Sequence, residues 1–218
     1  MVNHARRGFL RRSGSVLALA ASGYTGSGAL AAIGPSDKFD LVVKGGEVLD
    51  PSQNLRAKRD VGIRYGVVEA IEANIPEDKA LKLLDVSGKL VTPGLIDLHS
   101  HVFPYGSAIG IPADELLPFQ ATTTMVSAGD AGANNFAAFR RHIVAQTRTR
   151  LYAFVHIANV GLTPFPVAEL YNIDFAQVDA AAKAVGENSD IAIGVKVRMS
   201  ENVIAKNGTE PLKRSIQA

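Results

Sequence analysis

The chain has no cysteine. Disulfides, thiolate metal sites and a cysteine nucleophile are thereby excluded. It also has no surplus of basic charge outside one short stretch. The formal net charge is +2, but Arg6, Arg7, Arg11 and Arg12 all lie in the first segment, which carries no acid and no lysine. Without those four the balance is 19 basic against 21 acidic residues, and nothing points to nucleic acid as a partner. Nor is there a long apolar run. Val16 to Ala32 is modestly apolar but is diluted by Ser22, Gly23, Thr25, Gly26, Ser27 and Gly28, whereas a spanning helix needs about 20 predominantly apolar residues. No stable membrane anchor is expected. With 47% hydrophobic and 20% charged residues, the 218-residue chain has the composition of a globular protein with a sizeable core.

What is present begins with that basic stretch. Residues 1–32 have a charged region, an apolar region and, at Ala29-Leu30-Ala31, a small-x-small cleavage site, in the order of a signal peptide. Arg6-Arg7-Gly8-Phe9-Leu10 resembles the twin-arginine export motif. The resemblance implies passage through the twin-arginine machinery and a periplasmic or secreted location after processing.

Residues 33–91 read as short strands and turns. Asp40 to Lys44 and Glu47 to Asp50 flank Gly45-Gly46, and Asp60 to Arg64 and Val67 to Ile71 flank Tyr65-Gly66. Each pair reads as a hairpin. Lys82 to Val86 and Lys89 to Val91 are joined at Ser87-Gly88. From residue 92 the rhythm changes to apolar strands alternating with amphipathic segments, the pattern of β/α units around a parallel sheet. Strands are expected at Leu95–Val102, Thr122–Ser127, Leu151–Ile157 and Ile191–Val197, and helices at Asn134–Thr147, at Asp174–Val185 with Asp174 as N-cap, and from Thr209 onward.

The centre of the chain is Val91-Thr92-Pro93-Gly94-Leu95-Ile96-Asp97-Leu98-His99-Ser100-His101-Val102. Side chains alternate across a strand, so Asp97, His99 and His101 share one face, and two imidazoles at i and i+2 can grip one divalent ion from the same side. The pattern by itself also suits two polar residues at a strand end. Lys196 sits late in an otherwise apolar strand with Ile191, Ile193, Val195 and Val197. A buried lysine is driven toward its neutral form. A neutral amine can add carbon dioxide to give a carbamate with two oxygens. The alternative is a lysine that snorkels from the strand end. Arg198 shares the face of Lys196 and could hold a substrate carboxylate or pair with a neighbouring acid. Asp97 could orient a ligand imidazole or serve as a buried structural acid. Ser127 and Asp130 lie at the end of the second strand, where barrel enzymes keep their chemistry. The loop Val102 to Pro112, with Phe103 and Tyr105, is a candidate pocket wall. His156 reads as a core or barrel-rim histidine and His142 as part of a solvated helix face.

Pro-Gly-Leu-Ile-Asp-Leu-His-Ser-His, residues 93–101, resembles the first barrel strand of the amidohydrolase superfamily. The likeness runs from about Phe39 to the end of the chain and leans toward the deacetylase and dihydroorotase-like branch. Gly194 to Ser200 resembles the fourth-strand segment that carries a carboxylated lysine in that family. The fold implied is α/β: the first four units of a (β/α)8 TIM-like barrel in residues 92–218, preceded by part of a small β-sandwich domain in 33–91. The site implied has His99, His101 and carboxylated Lys196 holding two divalent ions, zinc being the expected metal. These would activate water and polarise the scissile carbonyl of a small acyl or amide substrate. Three further family residues, two histidines and an aspartate from later strands, have no counterpart here. A full barrel needs about 250 residues. The expectation is therefore an N-terminal half, with open sheet edges that invite association with a second copy. It is not expected to turn over substrate as it stands. Two other readings stay open: a cyclic amidase of dihydroorotase or hydantoinase type, and a non-catalytic remnant.

Overall fold

The computed structural model describes residues 37–218; the expected signal peptide lies outside them. They fall into two compact units divided between Val91 and Thr92.

The first unit is a five-stranded sheet built on β1 (Leu41–Asp50). β2 (Leu55–Arg64) pairs antiparallel with β1, and β3 (Val67–Glu72) antiparallel with β2. The turn at Tyr65-Gly66 puts both residues at positive φ, 54° and 74°, as a tight two-residue hairpin turn demands. Gly45-Gly46 is no turn. β1 runs straight through it, and the pair is used as a bulge between Val43 and Gly46, with Gly45 at φ 79°. β4 (Leu83–Asp85) and β5 (Leu90–Val91) each lie parallel to β1 rather than pairing with one another. Phe39, Val42, Ala70 and Ile75 form the core. Asp60 is buried beside it, where it accepts from Lys44 Nζ at 2.9 Å and from the Gly45 and Ile75 amides at 2.8 Å. A buried charge satisfied three times ties β1, β2 and the loop after β3 together.

The second unit is a four-stranded parallel sheet in the order β6-β7-β8-β9, the arc of a partial (β/α)8 barrel. β6 is Leu95–Ser100, β7 Thr122–Gly132, β8 Arg150–His156 and β9 Ala192–Lys196. α1 (Ala113–Gln120) joins β6 to β7. α2 (Phe136–Phe139) runs into a π-helical turn over Arg140–Val144, so the expected regular helix over 134–147 is shorter and wider. α3 is Val178–Glu187 with Gln177 as N-cap. Asp174 instead lies in a 3-10 turn, where Asn172 accepts its amide at 3.0 Å. α4 (Glu201–Ile204) and α5 (Glu210–Gln217) follow β9.

The main core lies between sheet and helices. Leu151, Ala153 and Val155, alternate residues of β8, meet Met125, Phe136, Phe139 and Ala184 there. Tyr152, Phe154 and His156 take the opposite face by the same alternation. Between Ala153 and Phe154 the register with β9 slips by one residue, so Gly194 aligns with Phe154 and Lys196 with His156. That slip is what puts Lys196 on the face of His156. Among the described residues no helix is long and apolar enough to cross a membrane.

Candidate metal centre

The candidate residues gather at the C-terminal ends of the parallel strands, the end at which such sheets hold ligands. Asp97 and His99 lie within β6, and His101 one residue past it. The rings of His99 and His101 are 5.3 Å apart, centroid to centroid, edge to face. The His99 ring is held below its usual imidazole value. Partial desolvation contributes most, then the nearby charge of Lys196, against Asp97 and Asp130. A ring kept neutral is a competent metal donor.

Asp97 does not reach an imidazole; its Oδ1 accepts the His99 backbone amide at 3.0 Å. The carboxylate that touches a ring is Asp130, fully buried on β7, with Oδ1 2.8 Å from His101 Nδ1. Asp130 also accepts from Ser127 Oγ at 2.7 Å, Ser107 Oγ at 2.8 Å and the Val102 amide at 2.9 Å. Burial would raise this carboxyl. The hydrogen bonds from His101, Ser127 and Ser107 outweigh it and hold the group below the ordinary carboxylate value.

Lys196 ends β9, and its side chain lies over Gly129 of β7. A methyl on Gly129 would sit 2.6 Å from Lys196 Cγ and 3.2 Å from His156 Cδ2, and Gly129 has φ 86°. Both the space and the backbone there require glycine. No carboxylate among the described residues lies within ion-pair distance of Lys196. Its influence reaches His99, whose protonation it opposes.

Arg198 is engaged elsewhere. Its Nε and Nη2 grip Glu169 Oε1 and Oε2 at 2.7 and 2.5 Å, and the guanidinium lies 5.7 Å from the Phe165 ring centroid. His156, fully buried, accepts the Ala158 amide at Nδ1, 3.0 Å, so its proton is on Nε2. Nε2 stands 3.1 Å from Glu169 Oε1, off the direction of a good hydrogen bond. Burial pushes Glu169 up, but the contacts with His156 and Arg198 prevail and keep it well below the usual carboxylate value. Glu169 lies in irregular chain between β8 and α3, with no sequence pattern to mark it.

Among the described residues no three or more His, Asp or Glu side chains stand together as a metal cage. The candidate donors are two imidazoles and a lysine, with the His101 ring hydrogen-bonded to a carboxylate and the lysine stem lying over a glycine. That set fits a metal once the lysine becomes an anion.

No protein-family model matches the chain. A deacetylase of Agrobacterium fabrum is 32% identical over 149 residues, covering 68% of this chain and 37% of that protein. The crystal structure of an adenine deaminase superposes with a TM-score of 0.70 at 29% identity, over 83% of this chain and 47% of that one. A dihydroorotase structure gives a TM-score of 0.70 at 27% identity, over 80% and 46%. The chain belongs to the amidohydrolase superfamily. As an amidohydrolase it spans less than half the length of these relatives. The correspondence with them therefore concerns the β unit and the four-stranded arc.

Proposed function

We propose that this amidohydrolase chain supplies the His-x-His and lysine side of a divalent-metal centre for hydrolysis of an amide carbon–nitrogen bond, with N-acyl compounds as the substrate class. The observation that carries the reading is the convergence of His99, His101 and Lys196 at one end of one sheet. The deacetylase likeness over 149 residues supports the substrate class. His99 and His101, with Lys196 as a carbamate, would be the residues that hold the metal. The ions, zinc by preference, supply Lewis acidity toward the scissile carbonyl and activation of water. His101 is held in one orientation by Asp130, and Gly129 leaves the lysine stem its room. Arg198 reaches a substrate carboxylate only through the guanidinium nitrogen that Glu169 leaves unused. A cyclic amide substrate is the second reading, favoured by the dihydroorotase superposition.

The test is metal content. Full-length protein prepared with zinc and bicarbonate should hold zinc and show a carbamate carbon when the bicarbonate is carbon-13 labelled. Lys196→Ala should lose that carbon and most of the zinc. Unchanged zinc in Lys196→Ala would sink the role of the lysine. Turnover of N-acetyl amino acids against cyclic amides separates the two substrate classes.

A further inference from the structure

We infer that Asp130 is the positioning residue for His101: its buried carboxylate fixes the ring as the Nδ1–H tautomer and thereby presents the Nε2 lone pair to a metal. This rests on the metal reading above and adds a residue to it. An ionised carboxylate can only accept hydrogen bonds. Asp130 receives three other donors, the Val102 amide and the Ser107 and Ser127 hydroxyls, so its fourth contact, to His101 Nδ1, requires a proton on that nitrogen. The opposite ring nitrogen is then unprotonated and free to ligate. The anchor is rigid because β7 is an interior strand and the carboxylate has no solvent exposure. It also crosses the sheet, since β7 steadies a ring that follows the neighbouring strand β6. Carboxylates that accept the second ring proton of a ligating histidine typically sustain about 10–100-fold in metal affinity.

A structural role alone, tying the 102–107 loop to β7, would predict something different, and the two separate by tautomer. Asp130→Asn keeps the volume, but its amide can donate to Nδ1 and so favour the Nε2–H form. The experiment is nitrogen-15 NMR of the histidine rings in the full chain, with His101 identified through His101→Gln, alongside calorimetric titration with zinc. Expected are an Nδ1–H tautomer in the wild type, conversion toward Nε2–H in Asp130→Asn, and zinc affinity lower by about 10–100-fold. Ser107→Ala, which removes a different donor from the same oxygen, should leave the tautomer unchanged and zinc affinity within about threefold. Retention of Nδ1–H and of wild-type affinity in Asp130→Asn would overturn the proposal, as would an Nε2–H ring in the wild type. If Asp130→Asn fails to fold by circular dichroism, the wild-type tautomer together with the Ser107→Ala titration decides. A wild type that binds no zinc defeats the metal reading, while the ring tautomer still reports separately on what Asp130 does.

Discussion

β6 and β7 are neighbours in one parallel sheet, yet their surroundings differ sharply. β7 has a strand on each side, and Met125 and Val126 are 0% and 2% exposed. β6 has a partner on one side only among the described residues, and its Ile96 and Leu98 are 59% and 67% exposed. Of the candidate metal ligands, His99 lies on the exposed strand and His101 directly follows it. The His101 ring meets the buried strand through Asp130, which Ser127 Oγ in turn hydrogen-bonds. The division is physically sensible. A ligand must be reachable, and a reachable side chain needs its orientation imposed by something that is not.

The largest effect that could break this contrast is a cavity in β7. Met125→Ala should destabilise the chain by about 2–5 kcal/mol, the range for removing a fully buried aliphatic side chain that its neighbours cannot replace. Met125 packs in the core with Phe136, Phe139 and Leu151. Urea denaturation followed by far-ultraviolet circular dichroism gives the number. A loss below about 1 kcal/mol would mean that β7 is not the rigid support described above.

How far the chain could be read without its structure follows the same line. The four-strand arc is legible in the alternation of apolar strands with amphipathic segments, while His-x-His and a lysine inside an apolar strand are local patterns that mark candidates only. Gly45-Gly46 misleads because two glycines suit a bulge as well as a turn, and only the pairing of β1 with β2 distinguishes them. β4 and β5 look like hairpin partners because they are close in sequence, whereas each finds β1. Asp130 could be placed at a strand end, but its bond to His101 spans 29 positions and leaves no periodic trace. Asp97, nearer in sequence, was the natural candidate, and it spends its carboxylate on the His99 amide. Glu169 lies in irregular chain with no repeat to mark it, although it is 1% exposed.

Glu169 sharpens the comparison by asking whether a buried polar cluster on the interior side matters as much as the apolar core. Glu169→Gln should cost about 1–3 kcal/mol near neutral pH, since it leaves the Arg198 charge and the His156 Nε2–H with a weaker acceptor. The pH dependence has a definite sign. The folded carboxyl titrates below its ordinary value of 4.5, so its contribution is complete above that value and is lost as pH falls toward the folded one. Denaturant midpoints of wild type and Glu169→Gln should therefore converge as pH is lowered from about 4.5. A gap that stays constant down to acid conditions would show that packing rather than charge holds the cluster.

The smallest effect is expected on β6. Leu98 lies between His99 and Asp97 in sequence but points to the opposite face, where it is two-thirds exposed and belongs to none of the buried clusters. Burial of apolar area is what makes a core leucine costly to remove, at about 25 cal/mol per Å². Little of that area is buried here, so Leu98→Ser should shift stability by no more than about 0.5 kcal/mol. The serine keeps the strand and removes only the exposed apolar surface, which isolates the quantity of interest. Urea midpoints measured at two protein concentrations give a further discrimination. A small shift at both leaves β6 an exposed strand. A loss above about 1.5 kcal/mol that grows with concentration would mean that a second copy covers this face in solution. In that case the contrast between the two strands belongs to the isolated chain and not to its working form.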